Sequence, residues 1–246
     1  MSSNLDDLVE GLKRIRVGAL INLVMWFLTI VILTLVMYRF MPFFGLSGFM
    51  YVPPPHSGMV EAFLEWMRLL IYYIIIDVFV YLLVTYFYWY KGSSYLSNYN
   101  SSKFSIGKTG IFLMLIGLIS ALPGLIGVAY LFGSFFPMFG WSGSDMGTGM
   151  NPVAFSMALF GIIFIPGVVG FLLMFLGIIL FSIMLMRLGD EEGLSQKLKT
   201  SGILMLIAII LSFIPIASFV AGFLVFLSLV FMYLGAGESE RNLKMP

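Results

Sequence analysis

The sequence contains no cysteine and a single histidine, His56. The absence of cysteine excludes disulfides, iron–sulfur clusters, thiolate zinc sites and cysteine nucleophiles. Charged residues are also scarce, at 10% of 246 residues, and the net charge of +1 gives no electrostatic reason to expect nucleic acid as a partner. No segment matches a P-loop, a G-x-S-x-G nucleophile turn or an H-E-x-x-H zinc motif. The sequence therefore predicts a protein that is not an enzyme and holds neither a metal nor another cofactor.

Apolar residues make up 61% of the chain and give it a mean hydropathy of +1.05. They gather in long runs with almost no charge, at 17–37, 66–88, 107–136, 153–186 and 201–234. Runs of this length match helices that cross the roughly 30 Å hydrocarbon core of a bilayer. We expect an all-α, polytopic transmembrane bundle that forms one domain and has the lipid bilayer as its surroundings.

The last apolar run is 34 residues long and carries Pro215 near its middle, so it is either one kinked helix or a hairpin. Basic residues decide between these alternatives, because Lys and Arg in short loops concentrate on the cytoplasmic side. A hairpin gives six helices and eleven of the thirteen basic residues in the cytoplasm, whereas five helices give nine. A further split at Pro166 gives seven helices and only six such residues. We predict six helices with both termini in the cytoplasm.

Three glycines, Gly18, Gly110 and Gly202, recur at intervals of 92 residues, and each opens a long apolar run. This spacing predicts three hairpins that enter the bilayer from the same side. The predicted parts are an amphipathic surface helix at 1–16 and hairpins at 17–92, 107–189 and 201–237, the second with an outer insert at 124–165. The Ser- and Asn-rich stretch 92–103 indicates a flexible connector.

Prolines recur at matching places in the second and third hairpins. Pro123 follows Gly110 by 13 residues, and Pro215 follows Gly202 by the same distance. Pro123 and Pro166 each begin a Pro-Gly-x-x-Gly pattern, which ends at Gly127 and Gly170. Proline removes a helical hydrogen bond, so we expect helix breaks at these positions.

Small residues one helical turn apart, such as Gly117 and Ala121, predict close helix packing in the second and third hairpins. The aromatic clusters at 86–90 and 135–141 predict belts at the two membrane surfaces. A compact bundle of this kind suits association with other membrane proteins or with a second copy of the chain.

Asp77 is the one acid placed deep inside an apolar run, and Tyr73 and Tyr81 lie one turn to either side of it. A carboxyl at that depth costs about 2.5–3.5 kcal/mol on insertion scales and marks a candidate functional residue. Hydrogen bonds with the two tyrosines would give a protonated Asp77 a structural role. The alternative is an acid that accepts and releases protons or ions. The lack of a second intramembrane charge favours the structural role.

Four charged residues near the outer end of the first hairpin predict a salt-bridge cluster that ties its two helices together; they are Arg39, Glu61, Glu65 and Arg68. His56 and several methionines have the side chains of a soft copper site. A single histidine in a chain with 18 methionines is better explained by composition.

Two segments carry a family resemblance: Gly11-Leu-Lys-Arg-Ile-Arg-Val-Gly-Ala-Leu20, and Ser201-Gly-Ile-Leu-Met-Leu-Ile207 followed by Phe213-Ile-Pro215. With the Ser-, Tyr- and Asn-rich loops, they resemble a family of uncharacterised archaeal polytopic membrane proteins. The resemblance implies an archaeal plasma membrane and a helical fold of this size, and it supplies no activity. We predict a non-enzymatic scaffold or accessory subunit of a larger membrane complex. The alternative is a small-solute or ion channel or transporter component that uses Asp77.

Overall fold

The computed structural model describes the chain at residues 2–40, 57–135 and 152–244. The elements are α1 (Ser2–Phe40), α2 (Ser57–Val84), a π segment (Thr85–Tyr90), α3 (Lys91–Tyr99), α4 (Ser101–Phe135), α5 (Pro152–Gly189), α6 (Gln196–Ser212), a 3₁₀ turn (Pro215–Ala217) and α7 (Ser218–Lys244). No strand occurs in these ranges, and the predicted all-α fold is confirmed.

The helices α2 and α3 form one rod with the π segment between them. Val84, Tyr90 and Lys91 all have helical dihedrals, with φ between −62° and −64°. Only Asn100, at φ −149° and ψ 95°, separates α3 from α4. The stretch 92–103, predicted as a flexible connector, is therefore helical except at one residue, and the described part of the chain consists of six rods.

The six rods alternate in direction and close into a ring. Each rod packs on its neighbours in the chain, and α7 returns to pack on α1. At this closure the Trp26 and Phe226 rings stack with centroids 4.5 Å apart, and Arg16 pairs with Glu240 at 3.5 Å. Both termini therefore lie at one end of the ring. We call it the charged end, because it also holds the ion pairs Lys103–Glu191, Lys199–Asp190 and Lys244–Glu240.

The last apolar run doubles back at its proline, as predicted. Pro215 opens the 3₁₀ turn between α6 and α7. The hydroxyls of Ser201 and Ser228 lie 3.1 Å apart, and the Ser195 backbone N–H donates to the Ser239 hydroxyl at 2.8 Å, so the two helices run antiparallel. This hairpin confirms six helices rather than five.

Within the described ranges, five helices are long and apolar enough to cross a membrane, over Leu5–Leu35, Tyr72–Tyr99, Ser101–Gly124, Ile165–Gly189 and Pro215–Lys244. These spans indicate a multi-pass membrane protein. α6 is shorter, since its 17 residues reach about 26 Å against roughly 30 Å of hydrocarbon.

The helix breaks predicted at Pro123 and Pro166 do not occur, because α4 and α5 continue through both prolines. Gly127 and Gly170 accordingly lie inside helices. A helix surrounded by lipid cannot exchange its backbone hydrogen bonds for bonds to water, which favours continuity. The predicted insert 124–165 is helical over its first 12 and last 14 residues, and its middle lies outside the described residues. The continuity of α5 also excludes the seven-helix alternative.

Residues 2–16 are helical, but they form the first turns of α1 rather than a separate surface helix. Leu12 and Ile15 are fully buried in the core of the charged end. α1 also approaches α3 closely, since a Cβ atom added at Gly11 would lie 2.9 Å from Leu96 Cγ. The amphipathic pattern of this segment therefore marks a face that packs on other helices.

The three glycines spaced by 92 residues all stand at close helix approaches. A Cβ atom added at Gly18 would lie 2.5 Å from Trp89 Cδ1. One added at Gly110 would lie 2.7 Å from the Gly177 carbonyl oxygen, and one added at Gly202 would lie 2.5 Å from the Ser182 carbonyl oxygen. The Trp89 ring stacks on Phe181, the neighbour of Ser182, with centroids 5.3 Å apart. The three contacts thus share one layer of the ring, which we call the glycine layer. Because α1, α4 and α6 also run in the same direction, the hairpins start from one end of the bundle, as predicted.

Two glycine pairs join α4 to α5. Gly110 faces Gly177, and seven residues further along α4, Gly117 faces Gly170. In each pair an added Cβ would lie 2.5–2.7 Å from the other glycine's carbonyl oxygen. The Gly170 side of the contact also meets Ala121, so the predicted small pair Gly117 and Ala121 does pack closely.

We expect Gly177→Ala to destabilise the protein by about 1–3 kcal/mol, because the new methyl group forces α4 and α5 apart. The matched control is Gly167→Ala in the same helix, where an added Cβ meets nothing within 4 Å. Alanine is the better helix former, so the control is neutral or stabilising. Thermal unfolding of both variants in the same detergent measures the difference. Equal melting temperatures would contradict the close approach.

Candidate functional site

Asp77 lies in α2, is half-buried, and belongs to a row of polar or aromatic side chains repeated every four residues. The row comprises Tyr73, Asp77, Tyr81, Thr85, Trp89 and Ser93. Since four residues slightly exceed one α-helical turn, such a row winds slowly around a helix. The π segment, whose hydrogen bonds reach one residue further, lies where the row enters the core. Thr85, Trp89 and Ser93 are all buried.

The opposing face of α1 carries small and polar residues at spacings of seven, four and seven, namely Gly11, Gly18, Asn22 and Thr29. Gly18 contacts Trp89, and Gly11 contacts Gly92. Nearer the middle of the helices, the hydroxyls of Thr29 and Tyr73 lie 2.7 Å apart. We call this contact the polar seam; it consists of Asn22 and Thr29 on α1 and the row from Tyr73 to Ser93.

Hydrogen bonds within the polar seam are incomplete. Asn22 Nδ2 donates to the Gly18 carbonyl at 3.0 Å, and the Thr29 hydroxyl donates to the Met25 carbonyl at 2.9 Å. Trp89 Nε1 and Ser93 Oγ are buried, and neither has a hydrogen-bond partner among the described residues. A buried polar group without a partner costs about 1–3 kcal/mol, so such groups in folded proteins usually hold water or a ligand.

The hydrogen bonds predicted between Asp77 and its two tyrosines are not formed in the described part of the chain. Tyr73 is paired with Thr29 instead. The Tyr81 ring lies edge-on to Trp89, with centroids 5.9 Å apart. Asp77 is thus the one carboxyl group in a seam of hydroxyl, indole and amide groups. This set of groups can hold water and pass protons.

The position of Trp89 differs from its predicted place in an interfacial belt. Its ring is buried in the core, whereas Tyr86 and Phe87 on the same turn are exposed. The belt prediction is therefore wrong for Trp89 and consistent for its exposed neighbours.

The remaining candidate residues fall outside the residues whose side chains the structure describes. The side chains of Arg39, Glu61, Glu65 and Arg68 lie outside the described part of the structure, although their backbones belong to α1 and α2. His56 also lies outside it. In the ranges whose side chains are described, no three His, Asp or Glu side chains converge as metal ligands would.

Sequence reasoning missed most of the polar seam. Asn22, Thr29, Thr85 and Ser93 carry no charge, so none of them stands out as a candidate site residue by itself. The signal that identifies them is their spacing: the row from Tyr73 to Ser93 repeats every four residues, and its counterpart in α1 follows spacings of seven, four and seven.

The chain belongs to a family described as "Protein of unknown function (DUF973)", whose model matches residues 8–245. No curated protein and no solved structure matches the chain. Family membership therefore covers almost the whole chain and assigns no activity to it.

A double-mutant cycle tests the contact between α1 and α2 in the seam. We expect Thr29→Val and Tyr73→Phe to be coupled by about 0.6 kcal/mol, the average for hydrogen bonds between helices in membranes. The free energies of unfolding are measured by reversible detergent denaturation. The control cycle combines Tyr73→Phe with Thr109→Val, since Thr109 is exposed on α4 and bonds only within its own helix. Coupling no larger than in the control cycle would contradict the contact.

Proposed function

We propose that this member of the DUF973 family is a non-enzymatic scaffold or accessory subunit of a larger membrane complex. The main support is the turn between α6 and α7. Ile216 is 95% exposed and Phe219 is 88% exposed at this turn. Residues 213–217 are all apolar, so water is a poor surrounding for them.

The α6–α7 turn packs against the side of α5, which extends well beyond it. The Phe213 ring lies edge-on to Phe171 and Phe175 of α5, at centroid distances of 6.1 and 5.2 Å. α5 begins at Pro152, so it continues about 28 Å beyond the turn. The recess beside α5 and above the short α6–α7 hairpin suits a helix from another membrane protein.

The interior of the charged end supports a scaffold more than an open pore. Large side chains there are fully buried and pack into one core; they include Phe104, Ile111, Met114, Phe181 and Met184. Packing of this kind fixes the helices rather than leaving a channel between them.

We propose further that both termini lie in the cytoplasm and that the membrane is an archaeal plasma membrane. The distribution of basic residues over the loops supports this orientation, since eleven of thirteen fall on the side of the termini. The resemblance of the loops and motifs to uncharacterised archaeal membrane proteins supports the source.

Extraction in a mild detergent followed by native mass measurement tests the scaffold. We expect a mass larger than one chain, and we expect Phe219→Ala to release the partner because it removes an exposed anchor of the recess. The matched control is Phe27→Ala on α1, which removes an equally large exposed side chain outside the recess. A lone monomer from the unmodified protein would contradict the proposal, as would equal loss in both variants.

A second candidate function is a proton- or ion-coupled pathway for a small solute. The observation that favours it is the polar seam, in which Asp77 and two buried polar groups without described partners, Trp89 Nε1 and Ser93 Oγ, line one helix contact. An intramembrane carboxyl group of this kind is a common proton carrier.

Reconstituted vesicles separate the two functions. Coupled transport predicts a proton flux that Asp77→Asn abolishes, while Asp190→Asn, at an exposed ion pair of the charged end, leaves it unchanged. Identical background leak for the unmodified protein and both variants would remove this second candidate.

A further inference from the structure

A cleft of about 340 Å³ opens at the charged end between α1 and α3. It is lined by Arg14, Lys91, Ser94, Tyr95 and Asn98. The four residues from α3 follow each other at spacings of three, one and three, so they form one face of that helix. The cleft therefore exists because 92–103 is helical rather than a flexible connector.

Arg14 is held over this cleft by three contacts. Its Nε pairs with Glu10 at 3.0 Å, its Nη1 donates to the Phe87 carbonyl at 3.4 Å, and its guanidinium lies 5.2 Å from the centroid of the Tyr95 ring. None of these polar contacts uses Nη2. A guanidinium fixed in this way keeps donors for an anionic oxygen.

Lys91 supplies a second cation at the same place. Its Nζ lies 5.2 Å from the centroid of the Phe87 ring, and it forms no ion pair with any acid whose side chain is described. The cleft thus brings together two cations and one acid, Glu10. The hydroxyls of Ser94 and Tyr95 and the amide of Asn98 add uncharged donors.

The apolar surface that leads to Lys91 indicates what kind of anion fits. Phe79, Leu83 and Phe87 precede Lys91 at intervals of four residues, and all three side chains are exposed. They belong to the apolar stretch that crosses the membrane, whereas the residues around Asn98 are polar. The cleft therefore lies where the hydrocarbon ends, at the level of lipid headgroups.

We propose that this cleft binds the phosphate of an anionic lipid headgroup through Arg14 and Lys91, with the acyl chains along Phe79, Leu83 and Phe87. A basic pocket at the edge of a transmembrane helix pair has the charge and depth that such headgroups require. Arginine adds paired donors for phosphate oxygens, and lysine adds a compact charge. The site is separate from the recess and from the polar seam.

Native mass measurement of bound lipid tests the site. The purified full chain is equilibrated in dodecylmaltoside micelles with equal amounts of dioleoyl phosphatidylglycerol and dioleoyl phosphatidylcholine. We expect the protein to retain the anionic lipid preferentially. The double variant R14Q/K91Q should lose about tenfold of that retention, because both charged contacts to the phosphate are gone.

The control is the double variant K13Q/K108Q, which removes two cations from the same end of the ring but outside the cleft. It should retain the anionic lipid like the unmodified protein. If R14Q/K91Q does not fold, Ser94→Leu fills the cleft while keeping both charges, and it should lose retention as well.

Three results would overturn the proposal. One is equal retention of the two lipids by the unmodified protein. Another is equal loss in the cleft and control variants. The third is displacement of the lipid by inorganic phosphate at a comparable concentration, which would assign the cleft to a soluble phosphate compound instead of a lipid.

Discussion

The close approach of helices at glycine is the constraint on which this bundle depends. In lipid, no hydrophobic effect drives one apolar helix onto another, so van der Waals contact between backbones has to hold them together. Gly110 and Gly202 provide such contacts, and Gly18 makes room for the Trp89 ring in the same layer. The Trp89 ring in turn stacks on Phe181 across the ring of helices. The 92-residue repeat of these glycines in the sequence therefore corresponds to a single packing layer in the structure.

The two ends of the ring differ in composition and in packing. The charged end combines a dense apolar core with ion pairs, among them the Lys244 ammonium that donates to Glu240 at 2.7 Å. At the other end, the short helix α6 and the apolar turn lie beside the much longer helix α5. The charged end is densely packed, whereas the described part of the other end exposes apolar side chains such as Ile216 and Phe219.

Features that depend on the whole chain, such as the number of helices, can be predicted from the sequence. The count of basic residues favours six helices over five or seven, and Pro215 is the position where the last apolar run turns. The turn costs little free energy, because its backbone N–H groups find carbonyl partners. Those of Phe213 and Ile214 donate to carbonyls at the end of α6, and that of Ala217 donates to the Ile214 carbonyl. Pro123 and Pro166 also lack a backbone N–H, yet neither ends its helix. Each lies in a helix packed along its neighbour, and a continuous helix keeps the contacts between α4 and α5.

Predictions based on local composition were less successful. The amphipathic stretch 2–16 and the aromatic residue Trp89 both resemble membrane-surface elements, but neighbouring helices bury Leu8, Leu12, Ile15 and the Trp89 ring in the core. The polar seam escaped notice because threonine, serine and asparagine carry no charge. It becomes visible only when the spacing along α2 is compared with that along α1. Asp77 could be identified from the sequence, but its neighbours across the helix contact could not.

Crosslinking between the first and last helices tests the closed ring most directly, and the absence of native cysteine makes it straightforward. The variant W26C/F226C replaces two stacked rings, and F27C/F226C moves one cysteine to an exposed neighbour on α1. A protease site inserted between residues 136 and 151 separates the halves after treatment with a short bismaleimide. We expect the halves to stay covalently joined for W26C/F226C and to separate for F27C/F226C. Separation in both variants, or equal joining in both, would contradict the closure of the ring through α1 and α7.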